Sequence, residues 1–358
     1  MIGELARGAV RTAERAGMDA ARAAARARVT ERAAVIRQAS GTVAVREPSA
    51  LARKREPVDG AAALRDARTF FRHFALWPSE AALNVATVFA AATWARDASG
   101  ESVFEYLAKL LFTADEYGAG KSWFAALTAS LCPAGRKLIE PTKAALVDLV
   151  ADQRTVVVSE LDELFSSPNR NRGIIAILNG SYERGNYAAR KHGGKVEEIH
   201  LFGWQILDGV RKGLFGNTRP EMRGLLSRCV CVVVKMAPDD YRRPRWDSAA
   251  RAIAERGRDK LGAWMAQEVA DGIAEYVPDM PEGLGSARRC ALWEPFFTVA
   301  QRADLSAAAL REDGENDHYW GNAIADAAFE LEATLSGAED DDKATELDDI
   351  LASWAEEG

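Results

Sequence analysis

The tripeptide Gly120-Lys121-Ser122 has the residue types and the order that hold a nucleotide triphosphate. Glycine lets the backbone approach phosphate oxygens, the lysine ammonium reaches the β and γ oxygens, and the serine hydroxyl can ligate Mg²⁺. The apolar residues 107–112 before it predict a buried strand, and residues 122–131 predict a helix. Strand, loop and helix are the context that a P-loop requires, so we predict that ATP and Mg²⁺ bind here.

The predicted nucleotide-binding segment covers the whole loop and the start of the helix. Its residues are Asp115, Glu116, Tyr117, Gly118, Ala119, Gly120, Lys121, Ser122 and Trp123. The match to GxxxxGK[ST] is incomplete, because Asp115 stands at the position of the first glycine. A chance Gly-Lys-Ser in a polar loop is the alternative explanation.

A second segment ends in acids. Residues 155–158 are β-branched and precede Ser159, Glu160 and Asp162. A nucleotide hydrolase needs an acid that holds Mg²⁺ and a base that orients the attacking water. We predict Glu160 as the base and Ser122, Ser159 and Asp162 as the metal-binding set. An exposed acidic loop after a core strand is the alternative.

Ser159 occupies the position where an aspartate is usual in such a motif. A hydroxyl is a weaker partner for Mg²⁺ than a carboxylate. The sequence therefore leads us to expect that Ser159→Asp raises ATP turnover, provided that metal affinity limits the reaction.

Strands and helices alternate after the loop, which predicts an α/β fold with a parallel sheet and helices on both faces. Strands are predicted at 136–140, 155–158 and 229–234, helices at 142–151 and 172–182, and two strands within 186–201. We predict five parts: a basic arm and linker (1–60), an N-terminal helical region (61–100), a P-loop core (101–240), a helical lid (241–335) and an acidic tail (336–358).

The composition excludes several classes of protein. Residues are 48 % hydrophobic, enough for a sizeable core, but no run of about 18 apolar residues lacks charge. The first ten residues have no signal-peptide core. Four cysteines and four histidines are too scattered for a disulfide scaffold or a metal cluster. We expect a cytoplasmic protein of a bacterial host cell that does not associate with membranes.

Charge is concentrated at the two ends of a chain whose net charge is −7. Residues 1–55 hold 12 Lys and Arg against 5 acids, and residues 312–358 hold 16 acids and one lysine. The basic arm either contacts nucleic acid phosphates or is a solvated extension. The tail has an apolar helical face of Leu347, Ile350, Leu351 and Trp354, which either docks on a replication or recombination protein or packs within the chain.

From about residue 64 to 331 the chain resembles a family of phage and bacterial P-loop proteins of unknown function, often found beside primase-helicase modules. The resemblance rests on spaced motifs in one order. These are Gly120-Lys121-Ser122, Glu160-Leu161-Asp162 with Phe165, Leu178-Asn179-Gly180, Arg184-Gly185, Phe202-Gly203 with Leu207 and Gly209, Ser227-Arg228, and Arg288 to Phe296. Two departures are Ser159 for the family's aspartate and Gln205 for its lysine.

More broadly, the layout is similar to AAA+ ATPases of the helicase clade. That resemblance implies that Arg228 is an arginine finger that reaches the γ-phosphate of a neighbouring subunit, which requires a homo-oligomeric ring or arc, most simply a hexamer. It also implies that Gln205 and Arg288 sense the γ-phosphate, with Arg289 as the alternative to Arg288. The alternative is that Arg228 is a cation at a helix C-terminus that interacts with the helix dipole.

The segment from Tyr187 to Lys195 places cations beside a glycine turn. Ring helicases with a hairpin at the corresponding position grip DNA with its tip. By that resemblance, the phosphate contacts come from Arg190, Lys191, His192 and Lys195. An ordinary solvated β-turn is the alternative.

Together these features predict a phage-encoded, oligomeric, AAA+-like ATPase that acts on nucleic acid as a helicase, translocase or remodeller. A rival hypothesis is an ATP-gated assembly or regulatory protein with little or no hydrolysis. A small-molecule P-loop kinase is a third possibility, which leaves the hairpin and Ser227-Arg228 unexplained.

Overall fold

The structure is a computed structural model that describes residues 58–139, 141–166, 168–192, 195–215, 220–311 and 318–334. The predictions for the basic arm, the acidic tail beyond 334 and the hairpin tip at 193–194 lie outside these ranges. Among the described residues, 285–288 belong to one unit and all the others to a second, compact unit. Within the described part, no helix combines the length and the hydrophobicity needed to cross a membrane.

Helices and strands alternate through the middle of the chain as predicted. The strands are β1 (Lys109–Ala114), β2 (Arg136–Leu138), β3 (Val156–Val158), β4 (Tyr187–His192), β5 (Lys195–His200), β6 (Gln205–Val210) and β7 (Cys229–Val233). The helices are α1 (Gly60–Phe74), α2 (Glu80–Ala92), α3 (Lys121–Ala129), α4 (Lys143–Ala151), α5 (Leu161–Ser166), α6 (Pro168–Gly180), α7 (Arg211–Phe215), α8 (Pro220–Leu226), α9 (Ser248–Ala270), α10 (Ala287–Ala308) and α11 (319–334).

Five strands form one sheet in the order β2-β3-β6-β1-β7, and every pairing in it is parallel. The chain therefore leaves all five strands at one edge, which we call the carboxyl edge, and enters them at the amino edge. Strand β6 lies between β1 and β3, so the strand before the glycine loop and the strand before Glu160 are not neighbours. The predicted α/β class with a parallel sheet is confirmed.

Two hydrophobic cores cover the two faces of this sheet because side chains alternate along each strand. In β1, Leu110 and Phe112 face a core made with α1, α2, α3, α9 and α10, while Leu111 faces a core made with α4 to α8. All six residues of β1 are buried, as expected for a central parallel strand. The sheet is thus held between two helical layers.

The helices before and after the sheet share one layer. Helix α9 packs against α1 and α2, and the contact with α1 is close at Gly60, where an added Cβ would lie 2.3 Å from Cε2 of Trp264. Trp264 is fully buried, and its Nε1 donates to Glu268 at 3.0 Å. The predicted N-terminal helical region and most of the predicted lid therefore contribute to the same hydrophobic core.

Helix starts differ in how their first amide groups are satisfied. Side chains of Asp59, Ser79, Thr142 and Asp247 cap α1, α2, α4 and α9 by accepting from backbone N–H groups at 2.8 to 3.2 Å. Helix α3 instead follows Gly120, which offers no side-chain cap. The first turn of α3 thus has no side-chain acceptor of this kind at its cap.

Candidate functional site

The glycine loop lies at the carboxyl edge, directly after β1 and directly before α3. Gly118 and Gly120 have φ of +86° and +93°, in the left-handed region that glycine enters without strain. These two residues turn the chain from the buried strand into the helix within six residues. The loop residues 115–118 are exposed, whereas the helix behind them is packed against β1, β3 and β6.

Lys121 and Ser122 occupy the first turn of α3, next to the loop. Only 8 % of Lys121 is exposed, and its Nζ donates to the carbonyl oxygen of Glu116 at 3.1 Å. The same Nζ lies 5.6 Å from the centre of the Tyr117 ring, which is 75 % exposed. The ammonium group is therefore held against an exposed loop and lies at a helix N-terminus, where anions are favoured.

A carboxylate that sequence analysis missed lies beneath Ser122. Asp208 of β6 is 1 % exposed. Its Oδ1 accepts a hydrogen bond from the Ser122 hydroxyl at 2.8 Å, and its Oδ2 accepts one from the Ser159 hydroxyl at 2.7 Å. One buried carboxylate thus connects the two serines that sequence analysis assigned to the metal.

The sheet order explains why Asp208 occupies this place. Neighbouring strands lie about 4.8 Å apart, so β1 and β3 are separated by roughly 10 Å with β6 between them. Asp208 is in register with Phe112 of β1 and follows the pair of Leu207 with Val158 of β3. A single acid in the otherwise apolar run 206–210 was the available signal, since a buried charge requires partners.

Glu160 lies two residues after β3, at the same edge of the sheet. Its side chain is exposed, and its backbone has φ of +59°, a conformation that costs a non-glycine residue energy and that clusters at functional sites. Its carbonyl oxygen accepts from the amides of Glu163 and Leu164, so the strained residue starts α5. The predicted base is therefore beside Ser159 and points away from the core.

Asp162 has a different environment from the one predicted. Its Oδ1 accepts from the backbone amide of Val210 at 2.8 Å. Cβ atoms built on Gly209 and Gly213 would each come within 2.8 Å of Asp162 atoms. The Asp162 carboxylate therefore stabilises the turn from β6 into α7. It takes no part in the hydrogen bond between Ser122 and Asp208.

Arg211 is a second residue near the loop that sequence analysis missed. It follows β6, and its Nη1 lies 3.2 Å from Oδ1 of Asp115, at the loop position where a glycine is usual. The arginine side chain is 16 % exposed and the aspartate side chain 68 % exposed. The pair anchors the start of the glycine loop to the end of β6.

Gln205 is not at the loop, and this corrects its assignment as a sensor of the γ-phosphate in its own subunit. Gln205 is the first residue of β6. The next residue, Ile206, pairs with Leu110 near the start of β1, whereas Val210, the last residue of β6, pairs with Ala114 at the end of β1. Five residues of parallel strand separate the two levels by about 16 Å. Gln205 is fully buried, and neither polar atom of its amide has a hydrogen-bond partner among the described residues.

The predicted arginine finger also lies at the amino edge. The amide of Lys109, at the start of β1, donates to the carbonyl oxygen of Arg228 at 3.0 Å. The Arg228 guanidinium donates to Gly224 O and lies 3.4 Å from Oδ1 of Asn179 and 5.6 Å from the centre of the Tyr182 ring. Arg228 is thus far from its own loop and packs within its own subunit.

The two arginines considered as sensors lie at the start of α10. Arg288 is exposed. Arg289 pairs with Glu332 and approaches the carbonyl oxygens of Ser227 and Cys229 at 3.4 Å each. Because these carbonyls flank the start of β7, Arg289 belongs to the amino edge rather than to the loop.

Trp123 faces the helical layer. Its Nε1 donates to Phe74 O at 3.0 Å, and its ring packs against Trp246 and beneath the Arg243 guanidinium, which lies 4.3 Å from the ring centre. An open groove of about 560 Å³ runs beside it along α3. The groove is lined by aromatic and cationic side chains that include Trp123, Trp246, Arg136, Lys137 and Arg258.

The predicted hairpin forms, with β4 and β5 antiparallel from Tyr187↔His200 to His192↔Lys195. Arg190 is paired, at 2.8 Å to Asp148 of α4 and 3.3 Å to Glu197 of β5. Its hydrogen bonds to Glu197 and Asp148 raise the pKa of Arg190. The side chains of Lys191, His192 and Lys195 lie outside the described ones.

The described part of the chain contains no cluster of three His, Cys, Asp or Glu side chains suited to a metal. The hydrogen-bonded cluster behind the glycine loop consists of two hydroxyls and one carboxylate, those of Ser122, Ser159 and Asp208. Comparisons with protein-family models and with curated proteins gave no match to this chain. The geometry at the carboxyl edge is therefore the basis for assigning a function.

Proposed function

We propose that this protein binds ATP together with Mg²⁺ at the glycine loop and hydrolyses it. The observation that carries the proposal is the first turn of α3. Lys121 and Ser122 follow a left-handed glycine at the carboxyl edge of a parallel sheet, and the Ser122 hydroxyl lies 2.8 Å from a buried carboxylate. Ligands of open α/β sheets bind at this edge of the strands.

Each group at the loop has a distinct part in this proposal. The Lys121 ammonium would exchange the Glu116 carbonyl, 3.1 Å away, for phosphate oxygens of the nucleotide. The first amides of a helix have no intrahelical acceptor, so those of Lys121 and Ser122 would donate to the same phosphates. Arg211 adds a second cation near the loop, where its guanidinium forms an ion pair with Asp115.

Oxygen donors in the site fit Mg²⁺, a hard cation that binds carboxylates, hydroxyls, water and substrate phosphates. Mg²⁺ would be held by Ser122 and would neutralise charge on the transferred phosphoryl group. The exposed Glu160 carboxylate, just after β3, would orient the attacking water and accept its proton. Hydrolysis then consists of positioning and charge stabilisation by these side chains.

The rival hypothesis, ATP binding with little hydrolysis, depends on the absence of an aspartate at Ser159. The hydroxyl of Ser159 lies against the carboxylate of Asp208, so the site does contain a buried acid. This observation favours hydrolysis. Assembly into a ring, contact with nucleic acid and the finger role of Arg228 stay predictions. Arg190 and Arg228, which would make two of these contacts, both have partners within their own subunit.

The first experiment measures ATP binding and hydrolysis by the purified protein, with and without single-stranded and duplex DNA, and records oligomer size in the same samples. We expect Mg²⁺-dependent hydrolysis that Lys121→Ala abolishes. Binding and assembly without turnover, whatever DNA is added, would favour the ATP-gated protein. If the wild type binds no ATP, the proposed function is wrong.

A further inference from the structure

We infer that Asp208, on β6, is the carboxylate that holds the Mg²⁺ of the nucleotide in this protein, in place of an acid at Ser159. The inference rests on the proposed function, because it concerns the metal at the same loop. It assigns Asp208 as a metal-site residue and Ser159 as the residue that positions it.

The first argument is the position of Asp208 relative to Ser122. The two side chains are in direct contact, with 2.8 Å between Ser122 Oγ and Asp208 Oδ1. A serine hydroxyl can give a lone pair to Mg²⁺ while its O–H still donates to a carboxylate, which raises the electron density on the ligand oxygen. Asp208 therefore already makes the contact that a metal-site carboxylate needs.

The second argument is burial. A carboxylate that is 1 % exposed is costly to bury unless cations or donors compensate its charge. Two hydroxyl donors satisfy hydrogen bonds of Asp208, but neither carries a positive charge. A divalent cation bound beside Ser122 would supply the missing positive charge. The buried acid thus has a physical reason to lie at this place.

The third argument is the role left to Ser159. Its hydroxyl donates to Oδ2 of Asp208 at 2.7 Å and is itself 9 % exposed. This bond fixes the carboxylate plane and leaves Oδ1 directed at Ser122. A carboxylate at position 159 would lie directly beside Asp208, where two like charges repel. The serine is therefore suited to a site whose acid comes from the neighbouring strand.

The test compares ATP affinity in Mg²⁺ with ATP affinity in EDTA, using a fluorescent ATP analogue and equilibrium titration. In EDTA, we expect Asp208→Asn to bind the analogue as tightly as the wild type does. Mg²⁺ should increase the affinity of the wild type for the analogue, and we call this increase the Mg²⁺ gain. We expect the Mg²⁺ gain to be about 10- to 100-fold smaller in Asp208→Asn. Asparagine keeps the size and an acceptor oxygen for Ser122, so the change removes mainly the charge.

Asp304→Asn is the matched control, because Asp304 is equally buried at 2 % exposure but accepts from the amides of Trp320 and Gly321 in the helical layer. We expect it to keep the Mg²⁺ gain. An equal loss in this variant would attribute the effect of Asp208→Asn to general stability and would overturn the inference.

Ser159→Asp gives an independent measurement if Asp208→Asn does not fold. With Asp208 in place, we expect the added acid to give no gain in Mg²⁺ affinity or turnover, contrary to the expectation from sequence alone. A marked gain would show that position 159 lacks a needed carboxylate and would overturn the inference. In Asp208→Asn with Ser159→Asp, we expect the Mg²⁺ gain to return in part.

The outcomes separate the two proposals. A wild type that binds no analogue, with or without Mg²⁺, contradicts the proposed function and this inference together. A wild type whose binding is strengthened by Mg²⁺, with Asp208→Asn strengthened equally, leaves the proposed function intact and contradicts the assignment of Asp208 alone.

Discussion

The two edges of the sheet contain similar residue types in opposite situations. At the carboxyl edge, Lys121, Ser122 and Asp208 lie beside an exposed loop, and the ammonium and hydroxyl groups are bonded to groups of the site itself. At the amino edge, Lys109 and Gln205 are fully buried. The ammonium of Lys109 lies 3.3 Å from Ser181 Oγ, and burial lowers its pKa to about 7.

This difference teaches that strand direction decides what a polar residue can do. Parallel strands deliver their last residues to one edge, where loops leave room for a ligand. Their first residues reach the other edge, where Arg228 and Arg289 bind backbone carbonyl oxygens of the same subunit. A lysine at the carboxyl edge lies beside an exposed loop and would be available to the proposed nucleotide, whereas Arg228 and Arg289 at the amino edge support packing.

The largest expected effect is at the carboxyl edge. Lys121→Ala removes a charge-assisted contact to phosphate, so we expect ATP affinity to fall by about 10- to 100-fold. Lys260→Ala is the control, because Lys260 is also a helical lysine but pairs with Asp66 at the surface. Equilibrium titration with an ATP analogue measures the affinity of the wild type and of the two variants. Equal affinities in these three proteins would contradict the distinction between the two edges.

At the amino edge we expect a pH effect on stability from Lys109. Burial lowers its folded-state pKa to about 7, from an ordinary value of 10.5. Between these values the unfolded chain binds more protons, so the free energy of unfolding should rise with pH, by about 2 kcal/mol from pH 7 to 8.5. Neighbouring Cys229 counteracts the lowering and Arg228 adds to it.

The measurement is urea unfolding at several pH values up to 8.5. This range stops below pH 9, where the buried thiols of Cys132 and Cys229, with pKa values raised to about 12, would contribute the opposite slope. Lys109→Met should abolish the rise, and Lys260→Met, at a partly exposed lysine, should keep it. A rise that persists in Lys109→Met would mean that another group titrates.

Arg228 tests whether the amino edge serves packing alone. We expect Arg228→Ala to keep its ATP affinity, because it lies far from its own loop, and to lose about 1 to 3 kcal/mol of stability, because Gly224 O and Asn179 lose a charged donor. Thermal unfolding and analogue titration measure the two effects. A mixture of Arg228→Ala and Lys121→Ala subunits that recovers hydrolysis would show that Arg228 acts on a neighbouring subunit.

The smallest effect is expected at the hairpin. Arg190 makes exposed ion pairs with Asp148 and Glu197, and solvent screens such pairs so that they contribute little to stability. Arg190→Ala should therefore change the unfolding temperature little. A clear loss of DNA affinity in this variant, with unchanged unfolding, would show that Arg190 leaves its acidic partners to bind phosphate.

Much of the fold could be predicted from local patterns. The β-branched run at 155–158, the apolar run at 229–234 and the helix behind Gly120-Lys121-Ser122 all form as expected, because hydrophobic periodicity acts over a few neighbouring residues. The alternation of strands with helices likewise determined a parallel sheet. Ser122 and Glu160 lie at its carboxyl edge because each follows a strand closely in the sequence.

Sequence alone determined the elements, the glycine loop and the two hydroxyls, whereas only the tertiary structure decided which acid meets them. Asp208 is separated from Ser122 by 86 residues and reaches it at 2.8 Å because β6 enters the sheet between β1 and β3. The same insertion places Gln205 at the amino edge and Arg211 at the loop. Strand order is a long-range property of how two helical layers pack on one sheet, and no local pattern encodes it.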